Sequence, residues 1–424
     1  MPYFGNNKIW DVAVIGGGPS GMMAAGRAAE LGASVILIEK NEGLGEKLLI
    51  TGGGRCNLTN NELDVRKFLK KYKENDKFLF SAFSQFSVKD TLKFFNDRGM
   101  ETKVEAEGRV FPKSDSARSV WNVLIEYLKK NKVVIKSNSP VLQFITEKDN
   151  RISGVKIKGG EIIKAKAFIL ATGGISRPET GSTGDGFHWL ASLGHKVMPT
   201  NMALVPVSIK NKWVKKIQGI SLTNIKLTTF QNNQKQESVK GKILFTHFGI
   251  SGPTVLNMSK EIGELLKYGE VIIKLDLLPD LDYSMLNDKL QELFKTDSNK
   301  KLKNSLDKII PSSMVKIVLE LTGIDGETQN NSIKREDRIK LIDFLKGIPM
   351  EVGGLLGKDK AVVSSGGVAL EEVDFKTMKS KKVDNLYMVG DVLNIDRPSG
   401  GYSLQLCWTT GFVSGSNVVD RSKI

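Results

Sequence analysis

The chain has 424 residues, 40% of them hydrophobic and 26% charged, enough for two or three globular cores, and no apolar run reaches the roughly 18 residues of a membrane span. Two cysteines, Cys56 and Cys407, exclude a disulfide scaffold and any CxxC redox or zinc motif, and no basic-then-apolar leader opens the chain, so the expected setting is the cytoplasm, with no membrane and no metal. The net charge of +15, from 62 Lys+Arg against 47 Asp+Glu, suits a nucleic acid or another polyanion, or else a lysine-rich surface that only confers solubility.

In chain order, Asp11 to Ile15 reads as a short buried strand that runs into Gly16-Gly17-Gly18-Pro19-Ser20-Gly21. Met22 to Leu31 follows as a helix, Gly32 stops it, and Ser34 to Ile38 is a second buried strand ending in Glu39. Strand, glycine turn, helix, strand and acid together form the dinucleotide-binding fingerprint. Gly16 turns the chain tightly, Gly18 lets a pyrophosphate approach the backbone, and Gly21 lets helix and strand pack closely. Pro19 and Ser20 lie in the same turn and are counted with the cofactor-binding residues. Glu39, 18 positions after Gly21, is placed to accept from a ribose 2′-OH and would repel a 2′-phosphate, which favours FAD or NAD over NADP at this position.

Beyond Lys40 and Lys47, the stretch Thr51-Gly52-Gly53-Gly54-Arg55-Cys56-Asn57 makes a loop whose backbone can lie against a flat or phosphate-bearing ligand. Glu62 to Asn131 is mostly helical, with a hairpin expected over Val104 to Phe111. Lys132 to Lys136, Pro140 to Thr146, Ile152 to Lys158 and Glu161 to Ala165 read as a small antiparallel sheet attached to the nucleotide domain. Ala167 to Gly174 is another buried strand breaking at glycines, with Thr172 and Gly173 at its end. From Pro199 the texture turns β-rich, then helical over Tyr283 to Lys346, then strand-like again over Met350 to Ser364. Asn385 to Val389 is a further apolar strand, ending in Gly390-Asp391, and Gly400-Gly401-Tyr402 opens a helix. The expected architecture is α/β: a discontinuous nucleotide domain over 1–198 and 365–424, interrupted by an insert over 199–364 that is β-rich to 278, helical to 347 and strand-like to 364.

Three glycine-terminated apolar strands, before Gly16, Gly173 and Gly390, would put one sheet edge at the disposal of a ligand. Asp391 suits the hydroxyls of a ribityl chain, and the helix start at Gly400-Gly401 suits the negative charge of a reduced flavin, so FAD is the favoured dinucleotide.

With these residues in view, the chain resembles the two-dinucleotide-binding-domain flavoproteins with a glutathione-reductase-like fold, and within them the BaiN/aminoacetone-oxidase-type family. The resemblance is carried by Thr51 to Asn60, Ala171 to Gly174, Gly181 to Gly186, Leu244 to Pro253, Ser365 to Val368, Thr377 to Lys381 and Gly400 to Gln405, in the family's order along nearly the whole chain. It implies a Rossmann-like FAD domain interrupted by a β-barrel-like and helical insert. It also implies FAD contacts at Gly16, Gly18, Gly21, Glu39, Lys40, Lys47, Gly53, Arg55, Asn57, Asp391 and the turn Gly401, Tyr402, Ser403, Gln405. Thr51, Cys56, Thr172, Gly173 and Gly390 join that set by their place in the same motifs. The chain departs from the family's usual residues at Asp391, at Arg397-Pro398-Ser399 and at Ser403, so substrate preference does not carry across.

FAD would supply the redox chemistry, and NAD(P)H is the expected reductant, bound transiently because no second glycine fingerprint follows a strand. Three side chains are candidates for acid or nucleophile chemistry, each weighed against a packing role: Cys56 beside Arg55, His247 in a glycine turn and Tyr402 at the helix start. A Cys56–Cys407 disulfide has no spacing motif behind it, and His188 and His195 read as structural. Members of the family are associated with reduction of unsaturated steroid intermediates, amine oxidation and dihydrouridine formation in ribosomal RNA. The leading expectation is an FAD-dependent oxidoreductase that reduces a C=C or related bond of a small molecule or an RNA, and the basic charge makes uridine in ribosomal RNA one candidate acceptor. An amine oxidase using O₂ and a non-catalytic FAD-binding module are the alternatives. The sequence leaves the oligomeric state open.

Overall fold

The computed structural model describes residues 8–147, 149–357 and 363–419, and the chain divides into two compact units, Met1–Met202 with Lys358–Ile424, and Ala203–Gly357. Among the described residues, no helix is long and apolar enough to cross a membrane.

The first unit is built on one sheet. Its parallel part runs Val134–Lys136, Val35–Ile38, Ile9–Ile15, Ile162–Leu170 and Leu386–Met388. The register aligns the carboxyl ends of these strands: Lys136 pairs with Ile38, Ile38 with Ile15, Ile15 with Leu170, and Leu170 with Met388. Val35–Ile38, Leu386–Met388 and the stretches 12–15 and 167–170 are apolar and buried throughout, the form parallel strands take when helices cover them, whereas Val134–Lys136 at the sheet's edge is only partly buried. Ile152–Ile157 and Val141–Thr146 extend the same sheet antiparallel along the first half of Ile162–Leu170.

Two expectations are corrected here. Val134–Lys136 pairs parallel with Val35–Ile38 and belongs to the main sheet, not to an antiparallel annex. Glu161 to Ala165 and Ala167 to Leu170 are one strand, because no turn residue separates them. Its first half alternates exposed and buried residues, and its second half is buried throughout. The expected hairpin forms as Thr102–Val104 against Arg109–Pro112, and Thr59–Asn60 joins it as a third strand.

The fingerprint helix, Pro19–Glu30, packs against the C-terminal helix, Tyr402–Asn417, through small residues. A Cβ at Gly411 would lie 2.5 Å from the Ser20 carbonyl oxygen, and one at Gly415 would lie 2.5 Å from that of Ala24. The backbones therefore meet at a distance that only glycine permits, and the C-terminal helix is buried on almost every side.

The second unit is a closed six-stranded barrel, in the order Val207–Ile209, Gly249–Ser251, Gln234–Phe245, Ser221–Gln231, Val271–Asp276, Ile348–Leu355. Helices Tyr283–Thr296, Ser312–Thr322 and Arg335–Leu345 share its core through Leu286, Leu290, Val318 and Leu341. Lys346, just past the last of these helices, is buried, lies 2.8 Å from Asp276 and donates to the carbonyls of Leu278 and Leu281. Part of the expected Met350 to Ser364 strand lies outside the described residues.

Candidate functional site

A cleft opens at the carboxyl edge of the first unit's sheet. Each of the central strands ends in a turn that lines it: Gly16, Gly18, Pro19 and Ser20 after the first, Glu39, Lys40 and Asn41 after the second, Ala171, Thr172 and Gly173 after the long strand, and Asp391 after the last. The aligned register is what gathers these residues, although they lie far apart in the chain.

The glycines of the fingerprint serve two ends. A Cβ at Gly21 would overlap the Gly16 carbonyl oxygen, so glycine there lets the helix sit against the strand end. Nothing lies within 4 Å of where a Gly18 Cβ would be, and Gly18 is the N-cap of the helix, with no side chain capping it. The helix N-terminus thus presents free N–H groups and a positive dipole end to the cleft, a site for a diphosphate. Glu39 is 9% exposed. One of its oxygens accepts from Gly17 N at 2.6 Å and the other from Asn41 N at 2.9 Å, so the carboxylate is fixed and keeps lone pairs for ribose hydroxyls.

Across the cleft, Lys40 Nζ donates to Thr183 Oγ1 at 2.5 Å and to Asp185 at 3.0 Å. Lys47 Nζ reaches Ser176 Oγ at 3.3 Å and stands 3.6 Å from Asp391. Thr172 Oγ1 is buried with no hydrogen-bond partner among the described residues, which leaves it available to a bound group. Gly390 takes φ +65° and donates its N–H to Thr410 Oγ1 at 3.0 Å, tying this turn to the C-terminal helix. Burial by itself would raise the Asp391 carboxyl, but the charges of Arg397 and Lys47 outweigh it and hold the group below the usual carboxylate range. Free N–H groups at a helix end, a fixed acid, a lysine and an unpaired buried hydroxyl on one sheet edge fit an adenine dinucleotide such as FAD.

Asn57 links the glycine loop to the C-terminal helix: its amide nitrogen donates to the carbonyls of Thr59 and Val110, and its oxygen accepts from Gly401 N at 3.0 Å. Thr51 donates to the Leu48 carbonyl at 2.7 Å. Gly53 is exposed, with open space where a Cβ would be. Ser403 Oγ accepts from Arg397 Nε at 3.1 Å, so two of the positions that depart from the family's usual residues are bonded to each other.

Several expected roles do not match the geometry. Arg55 turns away from Cys56, pairs with Glu105 and Asp115 and stacks over the Phe111 ring at 4.2 Å. Cys56 is fully buried and burial pushes its thiol up to about 12, which disfavours the thiolate that a nucleophilic role needs. Gln405 is fully buried, accepting from Thr59 Oγ1 at 2.6 Å and donating to Thr91 Oγ1 at 2.8 Å and Thr409 Oγ1 at 3.1 Å. Its side chain is spent on tying three segments together and is not offered to a cofactor. Cys56 and Cys407 are both free thiols.

The Tyr402 ring packs at 4.8 Å from that of Phe68 and 6.1 Å from that of Tyr72, and burial raises its phenol, which stays protonated at neutral pH. His247 belongs to the second unit, exposed on a turn with its ring edge-on to Phe248, and is not among the cleft's lining residues. His195 is structural: its ring nitrogens pair with Glu372 and Ser380, each at 3.0 Å. Sequence reasoning missed Asn41, Ser139, Ser182, Thr183 and Trp189 in the cleft lining. The Gly181 to Gly186 loop was the one signal that pointed to part of this set.

The sequence matches the family described as "HI0933-like protein Rossmann domain" over residues 10–417. It is 32% identical over 418 residues to a 3-dehydro-bile acid delta(4,6)-reductase of Clostridium scindens, covering 97% of this chain and 99% of that protein. It is 28% identical over 413 residues to a ribosomal RNA dihydrouridine synthase of Escherichia coli, covering 97% and 98%. Among solved structures, a 3-ketosteroid delta1-dehydrogenase from Sterolibacterium denitrificans superposes with a TM-score of 0.56 at 14% identity, over 97% of this chain and 99% of that one, a likeness of fold.

Proposed function

The chain belongs to the HI0933-like Rossmann-domain family, and we propose that this FAD-dependent oxidoreductase uses NAD(P)H to reduce a conjugated C=C bond, with uridine in ribosomal RNA as the leading acceptor. The observation that carries the reading is the cleft at the aligned strand ends, where Gly18, Glu39, Lys47 and Asp391 converge. FAD, when bound, supplies the relay of a hydride from NAD(P)H to the acceptor. The remaining bookkeeping is simple: one carbon of the C=C gains the hydride, the other gains a proton, and NAD(P)⁺ leaves.

The residues divide the work of holding the cofactor. The N–H groups behind Gly18 take the diphosphate, and Glu39 takes ribose hydroxyls through its remaining lone pairs. Lys47 and Asp391 stand together further along the cleft, where their paired charges can orient a polyhydroxylated chain. The Gly401–Tyr402 helix start adds a positive dipole end. Of the three candidate proton-holding side chains, Cys56 is buried with a raised thiol and is the least suited, Tyr402 retains its proton through neutral pH, and His247 is exposed on the second unit.

The curated relatives named above include a reductase of unsaturated steroid acids and an RNA dihydrouridine synthase. Both names describe saturation of a ring double bond conjugated to a carbonyl, which is the shared chemistry we assign. The net charge of +15 supports a polyanionic acceptor over a free steroid. Cells lacking the protein are expected to lose a dihydrouridine from large-subunit ribosomal RNA. An unchanged nucleoside profile, with retained activity on an enone, would move the acceptor to small molecules.

A further inference from the structure

Arg397 lies between the Gly390–Val392 turn and the C-terminal helix, and its side chain is 1% exposed. Its guanidinium is engaged on three sides. Nη1 donates to the Ile395 carbonyl at 2.7 Å, Nε donates to Ser403 Oγ at 3.1 Å, and Nη2 donates to one oxygen of Asp391. Lys47 Nζ stands 3.6 Å from the other oxygen of that carboxylate. One nearly buried acid therefore faces two cations, so these three groups together carry one positive charge, and two of them, Lys47 and Asp391, line the cleft.

Ser403 is the second residue of the C-terminal helix, so the guanidinium also sits against a helix N-terminus, the end at which a cation is unfavourable. Buried ion pairs are in general no more stabilising than apolar residues of the same shape. Folding alone thus gives no reason to gather a guanidinium, an ammonium and a helix N-terminus around a single carboxylate. A ligand that develops negative charge in the cleft does.

We propose that Arg397 is a positioning residue for the flavin: it holds Asp391 against the cleft, and its buried charge favours the reduced, anionic form of bound FAD over the oxidised form. This rests on FAD occupying the cleft, and it treats Arg397 and Ser403 as one hydrogen-bonded unit. Reduction adds electrons to a bound group that stays within reach of this charge, whereas the oxidised group gains little from it, so the effect is a difference between two affinities. An apolar packing role for the same side chain would weaken both forms alike.

The test uses the full chain loaded with FAD, comparing wild type with Arg397→Met, Arg397→Gln and Arg397→Lys. FAD dissociation constants are read by flavin fluorescence and midpoint potentials by anaerobic dye equilibration. Arg397→Met is expected to weaken binding of reduced FAD about tenfold more than binding of oxidised FAD, a potential more negative by about 30 mV for a two-electron couple. Arg397→Lys keeps the charge but loses the planar fork, so both forms should weaken together while most of the potential is retained. Equal weakening of both forms by Arg397→Met, at unchanged potential, overturns the proposal. If that variant does not fold, Arg397→Gln, which removes the charge but keeps a hydrogen-bonding side chain, must shift the potential in the same direction, and an unchanged potential there overturns the proposal equally. A wild-type chain that takes up no FAD overturns the site reading itself, a different result from FAD uptake with an unmoved potential.

Discussion

At the scale of single residues, charge and burial decide which side chains can act. Cys56 sits beside an arginine in the sequence, which makes a reactive thiol legible there. What the sequence does not carry is where the arginine points. Glu105 and Asp115 lie 50 and 60 positions away and reach Arg55 only because the hairpin at Thr102 to Pro112 brings them back. Gln405 is hidden in the same manner, since its partners Thr59 and Thr91 arrive from two other segments. Glu39 was legible because its place after the second strand is a matter of spacing alone. Both thiols are pushed up to about 12, Cys56 by burial and Cys407 by burial and then the Asp391 charge. The folded values lie above the roughly 8.5 of an unfolded thiol, so the native state keeps protons that the unfolded chain releases. This stabilisation is whole below about pH 8.5 and is lost as pH rises toward 12. Thermal melts across that range should therefore fall with pH, and Cys56→Ser should flatten the fall. Iodoacetamide should leave Cys56 unmodified in the native protein at pH 8, and rapid labelling there would contradict its burial.

At the scale of elements, the strands before Gly16, Gly173 and Gly390 were readable because a strand buried on both faces is a continuous apolar run that a glycine ends. Their partners were less readable. Val134–Lys136 is three residues long and carries no pattern that separates parallel from antiparallel pairing. The C-terminal helix was visible as a helix, but its packing against Pro19–Glu30 depends on Gly411 and Gly415, whose spacing has meaning only once the two backbones are seen to touch. That contact ties the turn at Gly390 to the fingerprint helix and so shapes the cleft. Gly411→Ala places a methyl 2.5 Å from the Ser20 carbonyl oxygen, against backbone that cannot yield cheaply. We expect a loss of about 1–3 kcal/mol in stability, seen as a lower Tm, together with weaker FAD retention. Gly32→Ala meets no neighbour within 4 Å but sits at φ +91°, so it should lower Tm through local backbone strain without loosening FAD. Equal FAD loss in the two variants would show that helix contact does not shape the site.

At the scale of the molecule, a candidate FAD cleft on the first unit belongs to a basic chain of the HI0933-like family. The positive charge bears on the acceptor. If that acceptor is RNA, affinity for a uridine-containing ribosomal RNA fragment should fall about tenfold or more between 50 and 200 mM salt, while turnover of a neutral enone should hardly change. A salt-independent RNA affinity would remove the charge argument. The central claim is that electrons pass from NAD(P)H to a conjugated C=C on this protein. Its most direct test is an anaerobic titration of the FAD-loaded chain with NADH and NADPH, followed by addition of a uridine-containing ribosomal RNA fragment or an enone. One nicotinamide is expected to bleach the flavin, and the unsaturated acceptor to restore its colour without oxygen, with one double bond saturated per flavin re-oxidised. A flavin that neither nicotinamide bleaches, or one restored only by oxygen with release of peroxide, would contradict it.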